Sequence, residues 1–196
     1  MSVHGHATRA AYDALVASLT GKLLVASPGL EDPNFARTVV AIANHDDDGA
    51  LGLVLNRPSD TEVGDAVPEL ADLAEPGDVV HVGGPVQPQA IVLVAELEDP
   101  GDAAFLLAGR VGLVADTTDR EALAGRSDRR RVFAGYAGWG PGQLEAELER
   151  EDWIVEDATP DDVLCEDPAS LWSAVLERKG GSFRLVARMP VDPSLN

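Results

Sequence analysis

Residues 135–145 read Gly-Tyr-Ala-Gly-Trp-Gly-Pro-Gly-Gln-Leu-Glu, with four glycines in the first eight positions. They stand between a strand-like run, Arg131-Val132-Phe133-Ala134, and a helix-like run from Leu144 to Arg150. Glycine is used where the backbone takes positive φ or comes close to another group. Its density around Trp139 predicts a specified loop geometry between strand and helix. Pro141 suits the first helical position, where its missing N–H is no loss.

The rest of the chain alternates short apolar runs with turn residues. Ala11, Leu15, Val16 and Leu19 share a face at helical spacing, which predicts a helix over residues 8–19. Leu23–Ala26 reads as a buried strand. Val39–Ala43 and Leu51–Leu55 flank a polar stretch ending in Gly49, which predicts an antiparallel hairpin with Asp46–Gly49 at its exposed tip. Pro68 limits any helix around Val67 and Leu70. Further strands are expected at Val79–Val82, Ile91–Ala95, Gly109–Ala115, Arg131–Gly135, Trp153–Val155 and Phe183–Ala187, with helices at Arg120–Gly125, Asp161–Leu164 (capped by Thr159) and Ala169–Lys179 (stopped by Gly180-Gly181). Strands and helices mix without a regular βαβ repeat, which points to an α+β fold. No low-complexity linker marks a boundary, so residues 1–196 read as a single domain with a core over about 20–190.

Charge narrows the partners. Against 34 acidic residues stand 15 basic ones, for a net charge of −19. Nucleic-acid binders neutralise phosphates with clustered Lys and Arg; here the basic cluster is Arg126–Arg131, which reads as a solvated loop. Direct duplex-DNA binding and membrane association are not expected. No run approaches the ~18 apolar residues of a membrane helix, and residues 1–20 lack a signal-peptide pattern. The expected location is the cytoplasm. Cys165, the single cysteine, lies on an apolar stretch and reads as a small buried hydrophobe.

Several blocks resemble the AlgH family, also called YqgE-like. They are Leu23–Leu30, Asp32–Phe35, Arg37–Val40, Gly49–Pro58, Gly83–Val86 and the glycine-rich segment, in the family's order. The resemblance covers roughly residues 20–190. It implies a barrel-like mixed sheet flanked by helices. It also implies a regulatory role, since the family's name comes from a proposed part in regulating alginate synthesis. No general catalytic activity or catalytic residues come with it.

Motifs for chemistry are few. Asn44, Asp46, Asp48 and Gly49 imitate the start of an EF-hand loop, but the twelfth place is Leu55 instead of Glu and the flanks read as strands, so tight calcium binding is not expected. Gly138 and Gly140 imitate a dinucleotide fingerprint whose third glycine is replaced by Gln143. There is no G-x-S-x-G, H-E-x-x-H or Walker motif. His45 reads as a partner of its neighbours in the acidic turn, and His81 as a satisfied core or edge residue. No catalytic residue, metal ligand or cofactor is assigned.

Asn56-Arg57-Pro58 is the most informative polar group. Pro58 is expected to end strand pairing. Arg57 serves either as an ion-pair partner or in anion recognition. Each of Asn56–Pro58, Gly83–Pro85 and Gly138–Gln143 follows an apolar strand, so the three blocks are expected to lie together. The candidate ligand-binding residues are Asn56, Arg57, Gly83, Gly84, Trp139, Gln143 and Glu145. The leading reading is a non-enzymatic regulatory or binding protein with a protein or small-molecule partner. The alternative is an enzyme whose site uses Arg57, Gln143 or Glu145 near the Gly138–Gln143 loop. An exposed apolar patch at Trp139 would favour the first.

Overall fold

A computed structural model describes residues 18–115, 118 and 129–189. The expected helices at 8–19 and Arg120–Gly125 fall largely or wholly outside these residues.

Ten strands are described: β1 (Lys22–Ala26), β2 (Val39–Asp46), β3 (Gly49–Val54), β4 (Pro58–Glu62), β5 (Val79–Val82), β6 (Val86–Glu96), β7 (Ala103–Ala108), β8 (Val111–Val114), β9 (Arg130–Trp139) and β10 (Trp153–Asp157). They form one sheet in the order β10-β1-β2-β3-β9-β6-β8-β7, with β4 and β5 branching from β9. All pairings are antiparallel except β5 with β9. The sheet curls into a half-barrel, bringing β7 against β2. Among the described residues, five α-helical segments accompany it: α1 (Val63–Ala66), α2 (Gln143–Glu149), α3 (Pro160–Val163), α4 (Leu171–Lys179) and α5 (Phe183–Ala187). The fold is α+β, as expected.

The period-2 pattern of the strands divides the core. Leu23, Val25, Val39 and Ala41 face a cluster plugged by Trp172, Val175 and Leu176 of α4. Leu24, Ala26, Val40 and Ile42 face a second cluster with Trp139, Trp153 and Leu144. Both faces of β1 and β2 are therefore covered, which explains their unbroken apolar runs. The β2–β3 hairpin forms with the expected exposed aspartates at its turn. Asp46 accepts from the Asn44 side chain and from the Asp48 backbone N–H, so the carboxylate serves the turn itself. Those hydrogen bonds, the Asn44 one first, hold its pKa below the ordinary value.

Four local expectations are corrected. First, residues 135–139 are strand, not loop, because β9 runs through to Trp139 with partners on both edges. Second, Pro141 lies in the turn before α2; Gly142, at φ 73°, takes the N-cap position. Third, Pro58 opens β4 and pairs with His81 instead of ending the ladder. Fourth, Phe183–Ala187 is a helix. Phe183, Val186 and Ala187 follow the i, i+3, i+4 spacing and pack on the core, while Leu185 is exposed. The polar strand β4 was illegible because Pro-Ser-Asp-Thr-Glu has no apolar alternation.

Gly135 of β9 serves a crossing. Strand β5 lies along one edge of β9 and β6 along the other. The Gly83-Gly84-Pro85 connection must pass over β9 between them, and it does so at Gly135. A Cβ on Gly83 would sit 2.3 Å from the Gly135 carbonyl oxygen, and one on Gly84 would sit 2.2 Å from the Tyr136 carbonyl carbon. Gly84 and Gly135 also take positive φ, at 151° and 71°. Backbone crossing backbone leaves no room for a side chain.

Candidate functional site

The chain just before β2 sets the site. Asp32 accepts from the backbone N–H of Asn34 through Oδ1 and from that of Phe35 through its carbonyl, which turns the chain. Arg37 then takes φ 58°, a conformation that strains a residue with a Cβ. Asn56, just after β3, holds it there. Its Nδ2 donates to the Arg37 carbonyl at 2.9 Å and its Oδ1 accepts from Val39 N–H at 2.9 Å. The amide therefore serves as a clamp between two loops, with a donor and an acceptor both used.

Arg57 donates from Nη2 to the Ala36 carbonyl at 2.6 Å. No carboxylate lies within ion-pair distance of it among the described residues. Its half-buried guanidinium is thus fixed by a neutral group. Arg57 and Pro58 line two adjoining hollows. One, of about 240 Å³, is completed by Asn34, Val82, Gly84 and Pro85. The other, of about 500 Å³, includes Arg37, Asn56, Trp172 and Met189. In the second hollow the Arg37 guanidinium stands 4.3 Å from the centroid of the Trp172 ring and donates to the Met189 carbonyl at 2.7 Å. Burial lowers the pKa of Arg37 from its ordinary value.

The chain belongs to the AlgH-like family. The family's model matches residues 23–184. A UPF0301 protein of Streptomyces coelicolor is 49% identical over 190 residues, covering 92% of this chain and 97% of that one. A Mycobacterium tuberculosis relative is 44% identical over 181 residues, 90% of each chain. Among solved structures, a Corynebacterium diphtheriae protein superposes with a TM-score of 0.77 at 33% identity, over 86% of this chain and 91% of that one. The AlgH protein of Pseudomonas aeruginosa superposes with a TM-score of 0.66 at 28% identity, over 97% and 98%. Membership in this AlgH-like group carries the half-barrel but names no reaction.

Two of the three expected blocks meet. The Val82 N–H donates to the Arg57 carbonyl and the Val54 N–H to the Gly83 carbonyl, both at 2.8 Å. The third block lies elsewhere: Ala50 pairs with Trp139 and Leu51 with Gly138, at the start of β3, whereas Asn56 follows its end. Trp139 is only 6% exposed. It packs with Phe35 and Trp153, ring centroids 6.1 and 6.2 Å away.

The polar groups of that third block bond mainly to one another. Glu147 Oε2 accepts from the indole N–H of both Trp139 and Trp153 at 2.8 Å, and its Oε1 accepts from Gln143 Nε2 at 3.0 Å. Gln143 Oε1 accepts from Gly140 N–H in the turn before α2. Glu145 Oε1 lies 2.8 Å from His45 Nε2, while His45 Nδ1 accepts from Leu19 N–H. That acceptor role leaves the ring proton on Nε2. His45 is a buried tie between residues far apart in sequence, not a partner of its acidic turn.

Sequence reasoning overlooked Arg37, Asn34 and Trp172 as site residues, and Glu147 as an organising carboxylate. Two indoles spaced 14 positions apart with acids between them are a signal for such a shared acceptor, since buried Trp N–H groups need one.

Proposed function

We propose that this protein works as a non-enzymatic binding protein in the cytoplasm, recognising an anionic group on its partner at the Arg57 cleft. One observation carries the reading. Arg57 is held by a backbone carbonyl and forms the shared wall of two hollows, so a fixed charge faces space on either side. A guanidinium offers a planar fork of donors suited to carboxylate or phosphate. Arg37, strained and clamped by Asn56, adds a second guanidinium in the larger hollow. Strained backbone of this kind concentrates at functional positions. Of the expected site residues we carry forward Asn56 as a positioning residue, Arg57 as the recognition residue, and Gly84 as part of the wall of the smaller hollow.

The enzyme alternative has less support. Gln143 and Glu145, the groups expected to act with Arg57, lie at the opposite end of β3 and are bonded to other residues. Duplex DNA is also disfavoured as a partner. Arg129 contacts Glu96 and Asp161, Arg130 the Leu73 carbonyl, and Arg131 the Cys165 carbonyl.

Native mass spectrometry of the gently purified protein, beside an Arg57→Ala variant, tests the proposal. The wild type is expected to retain a bound anionic species that the variant loses, with the melting temperature lowered by less than about 3 °C. Retention by the variant, or its unfolding, sinks the reading.

A further inference from the structure

The smaller hollow beside Arg57 is walled largely by groups with no hydrogen-bond donor to offer. Pro33, Pro58 and Pro85 form an exposed rim, and proline has no N–H. Other lining N–H groups are already used inside the fold. Asn34 donates to Asp32 Oδ1, Val54 to the Gly83 carbonyl and Val82 to the Arg57 carbonyl, each at 2.8 Å. Among the described residues, the polar side chains lining this hollow are the Arg57 guanidinium and the Asn34 amide.

The rest of the lining is apolar. Val82, the last residue of β5, is 47% exposed here, while Val54 lies buried beneath. An open valine beside rigid proline rings makes a preformed apolar wall, which a ligand meets without ordering it. The larger hollow differs. Its Trp172 ring is buried and already faced by the Arg37 guanidinium, so its aromatic surface is covered. An alkyl group is therefore better placed in the smaller hollow. At about 240 Å³, that hollow holds about eight non-hydrogen atoms of about 30 Å³ each.

The charges narrow the ligand further. No carboxylate lines the smaller hollow among the described residues. Asp32, next to Pro33 in the chain, turns Oδ1 to the Asn34 N–H. An ammonium group placed here would lose water without gaining a counter-ion. A carboxylate has two oxygens, which the planar fork of Arg57 and the Asn34 amide match. A phosphate group presents three or more acceptor oxygens, too many for this donor set.

We propose, resting on anion recognition by Arg57, that the smaller hollow binds a short aliphatic carboxylate with no positive charge beside it. The carboxylate sits on Arg57, and the alkyl group lies against Val82 and the prolines. A free carboxylic acid and the C-terminal residue of a protein chain share this chemistry. They differ next to the carboxylate, where the chain end has an amide for Asn34.

The test titrates the full-length protein at pH 7 with acetate, butanoate, 4-methylpentanoate, N-acetyl-L-leucine, L-leucine and inorganic phosphate. Calorimetry reads affinity, and the amide NMR signals of Val82 and Gly84 read position. 4-Methylpentanoate is expected to bind with a Kd of about 1 mM, about 10-fold or more tighter than acetate, with butanoate between them. N-acetyl-L-leucine is expected to bind about 10-fold or more tighter than L-leucine, which carries the ammonium. A tighter N-acetyl-L-leucine than 4-methylpentanoate identifies chain ends as the source, and the reverse order identifies free acids. Arg57→Gln keeps a donor for the Ala36 carbonyl and should remove carboxylate binding. Val82→Thr is close in volume and should cut the advantage of 4-methylpentanoate over acetate to below about 3-fold.

Acetate or phosphate binding as tight as that of 4-methylpentanoate overturns the inference and leaves Arg57 as a plain anion site. Equal binding of L-leucine and N-acetyl-L-leucine overturns it as well. Carboxylates that bind unchanged to Arg57→Gln overturn both this inference and the Arg57 reading beneath it. If no carboxylate binds below about 10 mM, the inference alone fails, and the native mass spectra decide the Arg57 reading.

Discussion

The two ends of β3 look alike in sequence and differ in what their polar groups do. At the start, Gly49 meets Trp139; at the end, Val54 meets Gly83 and Arg57 follows. Each end gathers glycines, a proline, an aromatic and polar side chains. At the Trp139 end, Glu147 is shared by two indoles and an amide, and Glu145 is tied to His45. At the Arg57 end, the Arg57 guanidinium is braced by the Ala36 carbonyl and stands in the walls of two hollows. Residue type alone does not separate a packed polar network from a recognition site. What separates them is whether the polar groups have already found partners inside the fold.

The largest expected effects would break the likeness between the ends. Gly49→Ala places a Cβ 2.1 Å from the Trp139 carbonyl oxygen, and Gly84→Ala places one 2.2 Å from the Tyr136 carbonyl carbon, both at positive φ. Each should destabilise the protein by more than about 3 kcal/mol in urea unfolding. Gly140→Ala, with nothing within 4 Å of the added carbon, should change stability by less than about 1 kcal/mol. A tolerated Gly84→Ala would mean that the crossing over Gly135 is looser than described.

Glu147→Ala comes next and probes the saturated end. It strands two buried indole N–H groups, so a loss of about 2–4 kcal/mol is expected, with a red shift of tryptophan fluorescence. Glu147→Gln keeps an acceptor oxygen and should lose less than half as much. Equal losses for the two variants would show that packing, not the shared acceptor, holds the tryptophans.

Acid should weaken the other end. His81, paired with Pro58 across β4 and β5, has its folded pKa lowered from 6.5 to about 4 by burial and then by Arg131. Unfolding lets it take up a proton between those values. Its contribution to stability is therefore complete above pH 6.5 and is lost as the pH falls toward 4. The loss should be on the order of 2 kcal/mol, after allowing for solvent screening of the Arg131 charge. His81→Phe should flatten this part of the stability–pH curve, and an unchanged slope would remove the assignment to His81.

The smallest structural effect is expected from Arg57→Ala. Losing one hydrogen bond to the Ala36 carbonyl at a half-buried position should cost about 1 kcal/mol or less. A loss above about 3 kcal/mol in thermal unfolding would make Arg57 a structural residue like Glu147 and erase the contrast between the ends.

Much of this protein was legible without coordinates, where the signal was local. The apolar runs of β1, β2 and β3, the polar turn at Asp46–Gly49, and Gly180 closing α4 each follow from side-chain period or turn chemistry over a few residues. The capping box joining Thr159 and Asp162 at α3 is local in the same way. The blocks from Leu23 to Gln143 were also enough to indicate the family.

Tertiary structure decided the rest, because those features depend on contacts between distant residues. Whether Gly135–Trp139 is loop or strand depends on β3 and β6 arriving on either side of it. Whether Gly83 and Gly84 floor a site or clear a crossing depends on where β9 passes beneath them. His45 and Glu145 are 100 residues apart and Arg57 and Ala36 are 21 apart, so sequence spacing could not show which polar groups were already satisfied. Residue type sets the capacity to bond, and only the fold sets which part of that capacity is left for a partner.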